Sequence, residues 1–404
     1  MCAKTGDRQR VSTWGMKIGT GTGVHAQTTL GTPVPVPIFE TVPGFCSSRF
    51  NYLNRYEKKE SQHMNTDILP ASGPKLCIDH LSVKQLTPEY IAYAKQMGVE
   101  CLDVYGVEAS WNSYEEIVRI KRQVEDAGFQ IAEMTGPHIN MPESVVAGPG
   151  RDEEIKSFQQ FLRNLGRAGV PATTYTWLTM GAGFQTGTTT TRGCVTRLVE
   201  EKELKKLPNL RDRVYSEEEI WGNYEYWLQR VLPVAEEARV KLQLHPNDPP
   251  IDYQGVPRLF KSRKAFRRAM EMSGHNHYSG ILFCVGCWSE MFGPEGKGED
   301  IVGAIHEFGK RGQILDVHFR NVSNHLPDFH EEFPDCGYVN MYRIMRALCE
   351  VNFTGPVVQD HVPRGIDASS TTLGDYHDRA GESFALGYIR AMIQAAQTEL
   401  GRRA

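Results

Sequence analysis

Eight short, apolar, β-prone runs, separated by longer stretches of helical period, fill the chain beyond residue 75. The runs are "KLCIDHL" (75–81), "ECLDVY" (100–105), "QIAEM" (130–134), "ATTYTWL" (172–178), "VKLQLH" (240–245), "GILFC" (280–284), "ILDVHF" (314–319) and "PVVQDH" (356–361). Between them lie helical segments such as "TPEYIAYAKQMG" (87–98), with Thr87 as a cap, Pro88 in the first turn and Gly98 as a stop. Others span 152–169, 216–239, 299–312 and 340–351, and a last helix around 378–398 closes the chain. Strict strand–helix alternation predicts a parallel sheet, and eight repeats predict closure into an α/β fold of the (β/α)8 TIM-barrel type. The competing doubly wound open sheet calls for a Gly-rich turn after the first strand, and "CIDHLSVKQL" has none. One connection is much longer than the rest. Residues 179–215, rich in Gly and Thr, form an insertion after strand four, which on this fold belongs over the C-terminal mouth.

Residues 1–70 lie outside this rhythm. They are rich in Gly, Thr and Pro, lack an amphipathic period and read as an irregular extension to a barrel domain over 71–404. Arg8, Arg10, a Gly-rich middle and small residues near Ala26 resemble a degraded export signal, but the middle is too polar for an apolar segment. Nine scattered cysteines do not form a disulfide framework. A cytoplasmic location is therefore the expectation, with export as the alternative. Lys plus Arg number 45 against 49 Asp plus Glu, so a basic nucleic-acid surface is not expected. No apolar run is long enough to span a membrane.

Strand five ends on His245, strand six on Cys284, strand seven carries His318 near its end, and strand eight ends on Asp360 and His361. Successive positions are separated by about one unit of a roughly 250-residue barrel. Parallel strands point their C-termini at one mouth, so these side chains converge. Each alone is more often a core or hydrogen-bonded residue. Together, two imidazoles, a thiol and a carboxylate at four consecutive strand ends form a donor set suited to a borderline divalent ion. Pro246, Pro249 and Pro250 then stiffen the loop that follows His245. Trp177, at the end of strand four, is expected on the pocket wall. Asp79 and Asp103 on the first two strands are left open between core and mouth. "GTGTG" (19–23) has no strand before it and "HNH" (275–277) lies in a helix-to-strand loop, so neither carries a site.

Around these positions "HPNDPP" (245–250), "FCVG" (283–286), "HFRNV" (318–322), "DFHEE" (328–332) and "DH" (360–361) resemble the mannonate dehydratases, sugar-acid lyases among the xylose-isomerase-like barrels. The resemblance extends over roughly residues 76–395. It implies a metal, usually Mn2+ (with Fe2+, Co2+ or Zn2+ as alternatives), held by His245, Cys284, His318 and Asp360. It also implies acid–base work by His361 and Tyr376, in roles the sequence does not divide between them, although His361 could instead orient a ligand. Arg320 and Asn321 are expected at the substrate, Arg320 balancing the charge of its carboxylate. His330 is either a substrate contact or a surface residue. Two segments depart from the family pattern: "VVQDHVP" lacks the Arg-Pro that precedes the family's Asp-His-Gly, and in "FQTGTTTTRGC" only Arg192 matches a Trp-x-Arg-Thr-Asp segment.

The function so implied is a hydro-lyase converting D-mannonate to 2-keto-3-deoxy-D-gluconate and water, acting on a small sugar acid as a homo-oligomer. A sugar isomerase or epimerase on the same barrel, or a sugar-acid-binding homologue without turnover, are the rival readings.

Overall fold

A computed structural model describes residues 73–106, 109–179, 185–293, 296–365 and 379–402. In chain order its strands are β1 (Lys75–Leu81), β2 (Cys101–Tyr105), β3 (Gln130–Thr135), β4 (Ala172–Thr176), β5 (Gly187–Thr191), β6 (Cys194–Glu200), β7 (Lys241–His245), β8 (Ser279–Cys284), β9 (Ile314–His318), β10 (Asn321–Val322), β11 (Asp328–Glu332) and β12 (Pro356–Val358). Eight of them, β1–β4, β7–β9 and β12, form the expected parallel sheet, in the order β3-β2-β1-β12-β9-β8-β7-β4. Its two edges meet through side chains. Thr174 N donates to Thr135 Oγ1 at 3.3 Å, and the Thr174 hydroxyl donates to Glu133 Oε2 at 2.5 Å. The fold is a (β/α)8 barrel.

Local chemistry explains the outer helices. Thr87, Ser216 and Asn340 cap the helices Pro88–Gln96, Glu217–Ala238 and Met341–Glu350 by accepting from the backbone N–H three residues on. Each such cap contributes about 1 kcal/mol. The helix Arg151–Ala168 stops at Gly169, whose φ of 71° is the left-handed conformation that glycine adopts without a Cβ penalty. Along Glu217–Ala238, Ile220, Tyr224, Trp227, Leu228 and Val231 recur at helical spacing and are all buried. Trp227 packs against Tyr175 of β4 with ring centroids 4.7 Å apart.

The insertion after β4 is more ordered than its composition suggests. The strands β5 and β6 pair as an antiparallel hairpin, and β6 pairs with β11, giving a four-stranded sheet ordered β10-β11-β6-β5. Arg192 and Gly193 make the hairpin turn with φ of 49° and 80°. Positive φ at both central residues matches the twist of a two-residue hairpin. The four threonines of β5 favour a pleated surface, and that outweighs the loop-like Gly/Thr composition.

The barrel interior is unusually polar. The ladders set Tyr105 beside Thr135, Thr176 beside His245 and Cys284 beside His318. One pleat lower they set Asp103 beside Glu133, Thr174 beside Gln243 and Leu282 beside Asp316. Barrels of this type usually fill such layers with Val, Ile and Leu. Among the described residues, no helix is long and apolar enough to cross a membrane.

Candidate metal centre and active site

The strand ends converge as their order predicts. Cys284, His318 and Asp360 each place a ligand atom within 4.8 Å of the other two, and His245, Cys284 and Cys287 do the same. Cys284 Sγ lies 3.5 Å from Asp360 Oδ2, His318 Nδ1 lies 3.4 Å from the same oxygen, and the His245 and His318 rings are 5.4 Å apart. His245, His318, Asp360 and His361 line a cavity of about 650 Å³ at the barrel mouth, together with Asp79, Tyr105, Glu133, Asn140, Thr176 and Gln359. That volume suits a small-molecule ligand.

Asp360 and His361 reach this cavity through a backbone turn. The strand β12 ends at Val358, three residues short of the predicted run, and Asp360 has a φ of 52°. In an extended strand, neighbours point to opposite faces. The left-handed Asp360 breaks that alternation, so two adjacent side chains face one cavity. Asp tolerates this conformation better than most residues.

The electrostatics favour cation ligation. Burial opposes ionisation of Cys284, but its hydrogen bond with Cys287, the Arg320 charge and the His245 contact hold the thiol well below its ordinary range. Burial likewise opposes ionisation of Asp360, and the charges of His361, His318 and Arg320 hold it well below the carboxylate range. His245 Nδ1 donates to the Pro246 carbonyl at 2.6 Å, which leaves Nε2 as the donor atom for a ligand bond. A thiolate, a carboxylate and two imidazoles fit a divalent cation of borderline softness. Asp79 Oδ1 lies 3.7 Å from His318 Nε2, on the opposite side of the ring from Asp360, and against the opposing effect of burial its charge favours a proton on that nitrogen.

Beside this donor set lies a buried charge network. Arg320 Nε donates to Asp360 Oδ2 at 2.7 Å, Nη1 to Glu290 Oε1 at 2.8 Å and Nη2 to Asp248 Oδ2 at 2.8 Å. Arg197, from β6, donates to Asp248 Oδ1 at 2.8 Å and lies 3.0 Å from Glu331 Oε1. Glu331 Oε1 in turn accepts from His361 Nδ1 at 2.5 Å. Burial opposes the His361 proton, but Asp360 and Glu331 together raise the imidazole to about 9. The network also explains a glycine of the "FCVG" motif. A Cβ on Gly286 would come within 2.3 Å of Arg320 Nη1, so only glycine leaves room for the guanidinium.

Several residues expected at the substrate lie elsewhere. Arg320 is inside the protein, its donors taken by carboxylates, and is not on the cavity wall. Asn321 donates to the carbonyls of Pro334 and Val339 and fastens that loop. Trp177, one residue beyond Thr176, points to the opposite face and packs against Tyr224 and Trp227. His330 bonds to Glu332 at 2.9 Å, and exposed Arg192 pairs with Asp335 at 2.6 Å. Tyr376 lies outside the described residues. In "DFHEE" the residue that reaches the site is Glu331, not His330, because alternation along β11 turns Phe329 and Glu331 inward. Arg197, Asp248 and Glu290 are further members that sequence reasoning missed. Only the "HPNDPP" motif hinted at one of them, Asp248.

A parallel eight-stranded barrel with its candidate site at the C-terminal mouth is an enzyme-type TIM barrel. The xylose isomerase domain protein of Planctomyces limnophilus superposes with a TM-score of 0.52 at 12% identity, over 82% of this chain and 99% of its own. The mannonate dehydratase of Streptococcus suis serotype 2 superposes with a TM-score of 0.71 at 23% identity, over 83% and 96%. The family model described as D-mannonate dehydratase (UxuA) matches residues 85–194 and 189–402. The chain is 27% identical over 314 residues to the mannonate dehydratase of Streptococcus pneumoniae (strain 70585), covering 70% of this chain and 83% of that one. It is 29% identical over 320 residues to the Thermotoga maritima mannonate dehydratase, covering 69% and 86%. The chain belongs to the D-mannonate dehydratase family and is a hydro-lyase of that kind.

Proposed function

We propose that the protein dehydrates D-mannonate to 2-keto-3-deoxy-D-gluconate with a divalent metal, Mn2+ first among the candidates, held by His245, Cys284, His318 and Asp360. The observation that carries this reading is that Cys284 lies within ligand-sharing distance of His318 and Asp360, and separately of His245, beside a cavity lined by His245, His318, Asp360 and His361. When bound, the cation supplies Lewis acidity, which stabilises negative charge on a carboxylate whose neighbouring carbon loses a proton. The C2–H and C3–O bonds break, the 3-hydroxyl leaves as water, and the resulting enol tautomerises to the 2-keto acid.

His361 is the proton-handling group on the described wall. Its Nε2 is 3.4 Å from Asp360 Oδ1 and its Nδ1 is held by Glu331, so the ring is fixed in orientation, and in the metal-free protein these two carboxylates favour its protonated form. A protonated imidazole so placed serves as the acid for the departing hydroxyl. Tyr376 is its proposed partner. Tyr105, Asn140, Thr176 and Gln359 offer polar groups to the sugar hydroxyls.

The test is a turnover assay with D-mannonate on Mn2+-reconstituted protein, following the 2-keto-3-deoxy acid, with Cys284→Ala alongside. Turnover that disappears on Cys284→Ala supports both the reaction and the thiolate ligand. A protein that binds the ion without forming product refutes the mannonate reading. Asp79 and Glu133 on the cavity wall favour a second reading, sugar isomerisation or epimerisation, which the same assay separates by its product.

A further inference from the structure

The layer beneath the candidate metal centre carries four carboxylates from four strands: Asp79, Asp103, Glu133 and Asp316, all 5% exposed or less. Glu133 is accounted for, because its two oxygens accept from the Thr135 and Thr174 hydroxyls. Asp103 and Asp316 are not. Both oxygens of Asp316, and Oδ2 of Asp103, make no hydrogen bond, and no lysine or arginine among the described residues pairs with either side chain. Asp79 and Asp103 each bring an oxygen within 4.8 Å of the other and of a His318 ring nitrogen. Hard cations bind oxygen at about 2.0–2.6 Å, so oxygens sharing one ion lie up to roughly 5 Å apart. A buried polar group left without a hydrogen bond costs about 1–3 kcal/mol.

We propose that Asp79, Asp103 and Asp316 form a second cation site on the barrel axis, selective for a hard divalent ion such as Mg2+ or Mn2+. Its all-oxygen donors contrast with the thiolate and imidazoles above, so the two sites sort ions by softness. The His318 ring separates them, Nδ1 toward Asp360 and Nε2 toward Asp79. Asp79 and His318 both line the mouth cavity, which provides the ion's route inward. Asp316, on the same strand face as His318 and two residues earlier, lies outside the close group of Asp79, Asp103 and His318 and joins it when an ion is bound.

Counting ions tests this independently of any turnover. The full chain is stripped with a chelator, dialysed against Mn2+ and analysed for bound metal per chain. The expected result is two ions in the wild type and one in Asp103→Asn, in Asp316→Asn and in Cys284→Ser. Loading with Co2+ identifies the ion that survives. The thiolate-to-cobalt absorption persists in the two Asn variants and vanishes in Cys284→Ser. A wild type that binds one ion overturns the proposal, as do two ions retained in both Asn variants. Wild-type stoichiometry decides the matter even if an Asn variant does not fold.

Discussion

Replacing Glu331 with glutamine keeps the shape of the side chain and removes its charge from His361. The Glu331 carboxylate accepts from His361 Nδ1 at 2.5 Å and lies 3.0 Å from Arg197 Nε, with its side chain 6% exposed. A hydrogen bond to a charged group contributes about 1.5–3 kcal/mol. Since 1.36 kcal/mol moves a pKa by one, the imidazole of the metal-free protein should fall from about 9 to about 7–8. Asp360, 3.4 Å from Nε2, retains the rest of the upward pull. The assay follows the ring-carbon shifts of labelled histidine against pH in wild type and Glu331→Gln.

Stability should follow the same pair. The His361 value lies above its ordinary 6.5, so its contribution is complete below 6.5 and is lost as pH rises through about 9. Burial opposes ionisation of Glu331, but His361 and Arg197 hold it below its ordinary 4.5. Its contribution is therefore complete above 4.5 and is lost at lower pH. The wild type's advantage should be greatest between about pH 4.5 and 6.5, should shrink as pH rises toward 9 and should be lost above it. A histidine midpoint that stays at about 9 in Glu331→Gln, with a pH-independent stability difference, would show that Glu331 does not hold the His361 proton.

Arg320→Met removes a buried partner shared by Asp360, Glu290 and Asp248, leaving Arg197 and His361 to offset them, and should cost about 3 kcal/mol in urea unfolding. The ultraviolet signature of the Cys284 thiolate should also move to higher pH, because the Arg320 charge that helps hold it down is gone. Gly286→Ala places a methyl against the same guanidinium and should destabilise by about 1–3 kcal/mol, read as a lowered Tm. Arg192→Ala removes an exposed pair with Asp335 and should change stability by less than about 1 kcal/mol, with sugar-acid affinity by calorimetry unchanged. A large loss of affinity there would contradict its position off the cavity wall.

Asp360 and His361 are preceded by Val358 and Gln359, and Gln359 lines the cavity. Gln359 Oε1 accepts from Asp79 N at 3.4 Å, linking the last strand to the first across the mouth. The carboxylates Asp79 and Glu133 make that side of the cavity an acceptor-rich wall, which suits sugar hydroxyls better than a second anionic group.

The sequence alone determined the eightfold rhythm, the caps and the strand-end identities of His245, Cys284, His318 and Asp360. Those features act over a few residues: side-chain period, cap hydrogen bonds and left-handed glycines work wherever the segment ends up. Tertiary structure decided the rest. The strand β6 pairs with β11 more than a hundred residues away, and that pairing brings Arg197 and Glu331 to the mouth. Arg320 sits inward because three carboxylates from other elements surround it, and no local pattern encodes such a meeting. Trp177 and His330 were placed by strand-end position or by motif, yet a single step of alternation sent each to the other face. The turn that aims Asp360 and His361 together is set by one left-handed residue, and periodicity cannot announce it, because it exists only where the surrounding barrel holds the backbone there.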